Sequence, residues 1–477
     1  MKLPIKLPTA SVSRWVRGSR SLLPFTSPIS STRGRDDVLD KLLIFTPSPV
    51  DVKGGNKGQP KPPLASLMQL HYPLSSPDNN LLQEYTLPPQ ISSGNTASSL
   101  RYNEDLLIED MDMFAADVAC RHVGGLDDKR LVTAHLERLE VMCHHHPLSR
   151  LPLAAGANSR PRTDIDLELS GQVVWVGRSS MEVLLEVCTA LPKQVAGQHE
   201  GNQEESGNAF DESIHMYGTQ PDDHLYRQLV GRAQFVMATR TPDLTRAMQA
   251  QPLLPTNAHE ESLFKEVLER TERKKRDAQQ RHHQHTHDED HTKHLSPHDP
   301  LTQEQHLVCM QSRGADALPM SSTARSQLVT TRYQDRNTTG SVFGGQLICY
   351  GTAIGSDVAT AHAGQPCHLV QLHDVAFIAL APLDCRLVLE GHVAYAEGPL
   401  MHVRAVVRRL SDHSSGAQKG APAPGAYVTT FWCTYTTASG DGVASVTPST
   451  QAEFRDWSHA KSCIPLTAPA GAKAVLC

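Results

Sequence analysis

The stretch Asn337-Thr338-Thr339-Gly340-Ser341-Val342-Phe343-Gly344-Gly345 decides the reading of this chain. An Asn/Thr/Gly loop ends in two glycines, and the residues that follow, through His362, have helical spacing. Leu347, Ile354 and Val358 fall on one face with Gly351 between them, at steps of four, three and four. Two glycines opening a helix let a ligand approach bare backbone N–H groups at its positive end. That arrangement suits an oxygen that gains negative charge. By itself, a Gly-Gly before a helix is ordinary turn chemistry.

A second copy of the pattern gives it weight. A shift of 240 positions carries Asp117-Val118-Ala119 onto Asp357-Val358-Ala359, His122 onto His362 and Gly124 onto Gly364. The earlier apolar stripe is Leu107, Met111, Phe114 and Val118. A shift of 220 positions then carries Gly171, Val173, Trp175, Met181 and Val183 onto Gly391, Val393, Tyr395, Met401 and Val403. The chain therefore holds two related units, each a helix followed by long alternating strands. The copies differ where chemistry would sit. The first lacks the glycine pair and has Asp112 where the second has Thr352; the second has the glycines and no acid. Complementary losses suggest one composite site drawn from both halves.

At 477 residues the length suggests two to three domains. A formal net charge of −6 gives no sign of a nucleic-acid partner. No run approaches the ~18 apolar residues of a membrane span. Residues 1–35 lack Asp and Glu and carry Lys2, Lys6, Arg14, Arg17, Arg20, Arg33 and Arg35 among many serines, the composition of a mitochondrial transit peptide. The ten cysteines show no C-x-x-C spacing and are expected as free, mostly buried thiols. Cys143-His144-His145-His146 lacks the usual zinc spacings, and the tract from His282 toward His298, though such a tract can hold metal, reads as a solvated low-complexity linker; no metal is expected at either.

Strand character appears at Leu67–Pro73, Leu131–Leu136, Gln172–Trp175, Met181–Cys188 and Ala233–Thr239. It recurs at Gln327–Tyr333, His368–Phe377, Arg386–Tyr395, Met401–Leu410 and Tyr427–Thr436. The first helix is expected from Asn103 to His122, and a charged helix from Glu260 to Arg281. Beyond Val446 only Trp457 stands out, as a possible anchor. A sheet with one apolar face must bury it, and the amphipathic helix of each unit is the obvious partner.

These residues resemble the double-hotdog acyl-CoA thioesterases, most of all the mitochondrial branch. Leu106–Asp112 with Asp117–His122 is similar to the family's first central helix. Ser170–Val183 is the most specific match, and Phe235–Ala238 resembles a later strand. Asn337 with Val342–Gly345 resembles the second-half loop and helix start, and His373–Phe377 the strand after it. The resemblance covers roughly 65–245 and 319–440. It implies an α+β fold of two hotdog domains in tandem, each a long central helix wrapped by an antiparallel β-sheet. The divisions expected are a transit peptide (1–35), a disordered extension (36–64), a first hotdog domain with insertions (65–245), a charged, His-rich linker (246–318), a second hotdog domain (319–460) and a tail (461–477). The insertion around His144–Arg162 interrupts the family's first-half core.

The activity implied is hydrolysis of fatty acyl-CoA to free acid and coenzyme A, with no cofactor, since coenzyme A is part of the substrate. Asp112 matches the family's helix acid and would activate water; the bland alternative is a solvated carboxylate beside Asp105 and Glu109, and Asp110 and Asp117 compete for the role. Asn337 would hold the water or the thioester, or else simply shape its turn. The N–H of Gly345 would polarise the carbonyl, with Phe343 and Gly344 beside it at the substrate. Gly177-Arg178-Ser179-Ser180 looks like the family's coenzyme A contact, or an exposed hairpin turn; Arg178, Ser179 and Ser180 suit phosphate or pantetheine. The second half has Gly398-Pro399-Leu400 there instead. Such a protein would be a homo-oligomer in the mitochondrial matrix. The competing reading is a non-catalytic hotdog scaffold or acyl-CoA sensor; a hotdog hydratase is disfavoured, since His122 and His362 sit at the far helix ends from the glycines.

Overall fold

The computed structural model describes residues 59–72, 86–87, 101–102, 104–124, 128–141, 166–192, 225–288, 299–312, 317–337, 340–410 and 425–463. The basic stretch 1–35, the insertion around His144–Arg162, the histidines from His291 to His298, the side chains of His282–His287 and the tail from 464 lie outside the described residues.

The chain separates into two compact units, Met1–Thr133 with His146–Glu260, and Ala134–His145 with Glu261–Cys477. The first is built on β1 (Met68–Tyr72), α1 (Glu104–Val123), the opening residues of β2 (Arg130–Val141), β3 (Asp166–Val176), β4 (Ser180–Pro192) and β5 (Leu225–Arg240). The second takes β2 from Ala134, most of α2 (Ala258–Asp288), α3 (Gln303–Ser312), β6 (Arg325–Thr330) and α4 (Gly344–Ala363). It continues through β7 (Cys367–Phe377), β8 (Arg386–Glu397), β9 (Leu400–Arg409), β10 (Tyr427–Thr437) and α5 (Gln451–Cys463).

In the first unit the strands pair antiparallel in the order β1-β3-β4-β5. Alternation puts Leu167, Leu169 and Val173 of β3, Met181, Val183, Leu185 and Val187 of β4, and Phe235 and Met237 of β5 in the core. Helix α1 lies against this face and buries Ile108, Met111, Phe114, Ala115, Val118 and Ala119. Leu107, expected in the stripe, is only half-buried and Ile108 takes its place. Each large apolar side chain so buried contributes ~1.5–3 kcal/mol. Gly171 is where helix and strand touch: a Cβ there would lie 3.0 Å from Phe114 and 3.1 Å from Val118.

The second unit repeats the plan with the antiparallel order β2-β7-β10-β9-β8-β6. Helix α4 packs on β7 to β10 and buries Leu347, Ile348, Ile354, Val358 and Ala359. Gly391 answers Gly171, its missing Cβ facing Val358 at 3.2 Å and Ile354 at 3.6 Å.

Three further details recur in both units. Each central helix has 20 residues and is followed by a left-handed glycine, Gly124 at φ 79° and Gly364 at φ 67°. Each carries a histidine in its last turn whose Nε2 meets a loop carbonyl at 2.8 Å: His122 meets Gln251 and His362 meets Ala444. Each third strand is bulged after one valine, Val173 or Val393. The N–H of that valine donates to a hydroxyl from a preceding 3-10 turn, Val173 to Ser66 and Val393 to Thr323, both at 2.9 Å. On that side the neighbouring strand pairs only from Met68 in one unit and from Arg325 in the other, so the hydroxyl of the turn before it supplies the buried N–H with a partner.

The described strands run longer than local pattern indicates. Leu131–Leu136 extends to Arg130–Val141, and Ala233–Thr239 to Leu225–Arg240. The C-terminal stretch forms α5, held on the sheet by Asp456, whose carboxylate takes the Arg404 guanidinium and lies 3.5 Å from His392. Trp457 packs edge-on to Tyr395, so the anchor role expected of it has a partner. All eight described cysteines are free thiols, five of them buried.

Candidate functional site

In the first unit Asp112 sits midway along α1 and is 1% exposed. A carboxylate so far from water needs partners, and the hydroxyl of Thr133 donates to its Oδ1 at 2.7 Å. Thr133 opens β2 and is reached only after the helix reverses, so nothing in the local sequence pairs the two. The competing acids differ. Asp110 accepts a hydrogen bond from the Tyr72 hydroxyl at 3.0 Å and ties β1 to the helix. Asp117 is pushed up to about 7 by burial; its charge in turn, after burial itself, raises the Cys120 thiol to about 11.

The Gly177–Ser180 turn joins β3 to β4, closed by the Gly177 N–H on the Ser180 carbonyl at 2.8 Å. Arg178 is exposed. The backbone carbonyls of Ser179 and Arg178 accept from the N–H groups of Thr239 and Ala250, so the turn is pinned from outside the hairpin while its side chains remain available. Gly177 leaves room for Trp175, whose ring edge would meet a Cβ at 2.5 Å.

In the second unit the loop and helix start form one junction. Asn337 closes its own loop: its N–H donates to the Ser341 carbonyl at 2.7 Å and its side-chain oxygen accepts the Ser341 N–H at 3.0 Å. Gly340 takes the left-handed conformation, φ 86°, that this turn requires. Phe343 is the N-cap of α4, with no side chain capping the first turn, and Gly344 and the buried Gly345 open the helix. The partial positive end of the helix is thus presented by residues without side chains. Thr352, which answers Asp112 in the repeat, turns its hydroxyl back to the carbonyls of Cys349 and Ile348, at 3.0 and 3.3 Å.

A third cluster lies in the second unit. His135, Glu137 and Asp374 bring ligand-type atoms within 4.8 Å of one another. The Lys274 ammonium of α2 sits on Glu137 at 2.5 Å and on Asp374 at 2.9 Å, so a cation of the chain's own already bridges both carboxylates. His135 and Lys274 hold the Asp374 carboxyl well below the usual range.

No family model matches the chain. Acyl-coenzyme A thioesterase 2, chloroplastic, of Humulus lupulus is 25% identical over 382 residues, 75% of this chain and 74% of that protein. Acyl-coenzyme A thioesterase 4, mitochondrial, of the same plant is 24% identical over 406 residues, 82% of this chain and 65% of that protein. The chain is a relative of the acyl-coenzyme A thioesterases. Among solved structures, an apo-hexameric acyl-CoA thioesterase aligns at 23% identity and a TM-score of 0.28, covering 31% of this chain and 92% of that one.

Sequence reading missed two participants. Thr133 was visible only as a strand residue, and Lys274 only as one charge among many on a polar helix. Each acquires its partner through long-range packing, 21 residues away for Thr133 and 137 and 100 for Lys274.

Proposed function

We propose that the chain is a thiolester hydrolase that cleaves fatty acyl-CoA to a free fatty acid and coenzyme A. The buried Asp112 carboxylate, oriented by Thr133, carries this reading, set beside the relationship to acyl-CoA thioesterases. The finer architecture we propose is a tandem of hotdog domains at 65–245 and 319–460, joined by the linker 246–318.

A thioester is hydrolysed when water adds to its carbonyl carbon, the oxygen takes up negative charge, and the carbonyl re-forms as the thiolate departs. Water is a weak nucleophile until a base takes its proton. Asp112 supplies that base, and the Thr133 hydrogen bond fixes which oxygen faces the water. The helix start at Gly344–Gly345 supplies the complementary charge: the Gly345 N–H stabilises the developing oxyanion with help from the α4 dipole. Loss of one such donor typically costs ~3–4 kcal/mol of transition-state stabilisation. Asn337 is proposed to hold the water or the thioester, with Phe343 and Gly344 at the substrate. Arg178, Ser179 and Ser180 are proposed to contact the phosphates or pantetheine of coenzyme A. The chain is further proposed to act in the mitochondrial matrix as a homo-oligomer.

The deciding experiment is coenzyme A release by the purified chain across acyl-CoA chain lengths, beside Asp112→Asn. Turnover abolished by the substitution supports hydrolysis and its base together. Unchanged turnover in Asp112→Asn moves the base elsewhere, with Asp110 next. Acyl-CoA binding without release at any chain length replaces the enzyme by a sensor.

A further inference from the structure

The start of α4 is held by one residue in two ways. The backbone carbonyl of Asp335 accepts the N–H of Phe343, the N-cap, at 2.8 Å. The carboxylate of the same residue accepts the Arg332 N–H at 2.7 Å and the Tyr350 hydroxyl at 3.3 Å. Tyr350 lies in the second turn of α4, six residues beyond Gly344. Asp335 therefore joins the short 3-10 turn Tyr333–Asp335, the residue that begins the helix, and a side chain of the helix itself. The eight-residue loop between Asp335 and Gly344 leaves and returns to the same point. Its path is further fixed by the Arg336–Val342 bridge and by the Val342 N–H on the Ala381 carbonyl at 2.9 Å.

Such a staple has a specific consequence for chemistry. A backbone donor stabilises an oxyanion only when it is held at the place where the charge forms. Glycines at the helix start let a ligand come close but are the least constrained residues in the chain. The constraint must come from outside them, and Asp335 with Tyr350 provides it from both sides of the glycine pair. The Tyr350 phenol is pushed above its ordinary value, first by burial and then by the Asp335 charge. It stays protonated and remains a donor to Asp335 throughout the physiological range.

We propose that Asp335 and Tyr350 are positioning residues for the reaction, holding the Gly344–Gly345 helix start in the orientation that receives the thioester carbonyl. This rests on the thioesterase reading above. Neither residue need touch the substrate.

The test is steady-state coenzyme A release by the full chain on the acyl-CoA it hydrolyses fastest, for wild type, Asp112→Asn, Tyr350→Phe, Asp335→Ala and Asp335→Asn. Tyr350→Phe deletes one oxygen and keeps the ring, so kcat is expected to fall about tenfold with KM unchanged, the pattern of a lost transition-state interaction. Asp335→Ala is expected to fall at least as far. Asp335→Asn keeps an acceptor oxygen and is expected to recover most of that lost rate. Thermal melts accompany each variant; if Asp335→Ala does not fold, Tyr350→Phe decides alone. Wild-type kcat in Tyr350→Phe overturns the inference, as does an effect confined to KM or an Asp335→Asn as slow as the alanine variant. If wild type turns over and Asp112→Asn abolishes it while Tyr350→Phe does not slow it, only this inference fails. If wild type releases no coenzyme A from any acyl-CoA, the thioesterase reading and this inference fail together.

Discussion

Thr133 donates its hydroxyl to the Oδ1 of Asp112 at 2.7 Å, joining the first residues of β2 to the middle of α1. The bond does two things at once. It satisfies one oxygen of a carboxylate that is almost wholly buried, and it fixes the rotation of the carboxylate about its last torsion. Thr133→Val keeps the shape and removes the donor. For a base whose geometry matters, kcat should drop about tenfold, against a loss of about 100-fold or more for Asp112→Asn. If the two act as one unit, the double variant will be no slower than Asp112→Asn alone. Rates that simply multiply would show that Thr133 acts independently of Asp112.

The paired hydroxyls just before β1 and β6 make a second prediction. Ser66 and Thr323 each accept a strand N–H that lies beyond the start of the neighbouring strand and so has no ladder partner there. Each also donates to a carbonyl three residues back, Ser66 to Pro63 and Thr323 to Met320. Ser66→Ala and Thr323→Val should each cost ~1–3 kcal/mol, the usual penalty for stranding a buried backbone donor. The cost is read from urea midpoints at constant m-value. A cost within error of zero for both would mean that these N–H groups find other partners.

Gly351 is pressed against the Phe431 ring, with a built Cβ only 2.7 Å from it. Relief requires moving a fully buried aromatic. Gly351→Ala should therefore destabilise by ~1–3 kcal/mol despite the better helix propensity of alanine. Gly364→Ala should also destabilise, through φ 67° rather than crowding, because nothing lies within 4 Å of its absent Cβ. Pairing Gly351→Ala with Phe431→Leu separates the causes: the glycine substitution should cost less in that background.

Three buried histidines, His122, His373 and His402, are each lowered to about 4, with burial as the main cause. The folded chain resists protonating them, while the unfolded chain protonates them near the ordinary value of about 6.5. Between pH 6.5 and 4 the unfolded state binds more protons, so their contribution to stability is present above pH 6.5 and falls as pH falls through that window. Asp117 has the opposite sign. Its folded value near 7 makes stability fall as pH rises from about 4 to 7, since there the folded state holds the extra proton. Denaturation midpoints from pH 4 to 8 should thus shift in opposite senses: His402→Gln should flatten the acid-side loss, and Asp117→Asn should raise stability near pH 7. A pH profile unmoved by Asp117→Asn would place its carboxyl in better-solvated surroundings.

The sequence alone determined the duplicated plan, because it is written in local signals. Side-chain periodicity marks which face of each helix is apolar. Gly171 and Gly391, Gly124 and Gly364, and His122 and His362 recur at fixed offsets. These depend on neighbours within a turn or a strand, and they reappear in the structure at the expected offsets. The helix start at Gly344–Gly345 and the turn at Gly177–Ser180 were legible for the same reason. Tertiary structure decided what those signals omit. It chose Ile108 over Leu107 for the core, and it made an anchored helix of Gln451–Cys463, which has little local pattern. It paired Asp112 with Thr133 and Lys274 with Glu137 and Asp374, and gave Tyr350 its place on Asp335. A hydrogen bond or ion pair of this kind forms between residues that only chain reversal brings together. Its partner is set by the packing of whole elements, so no window of sequence contains it.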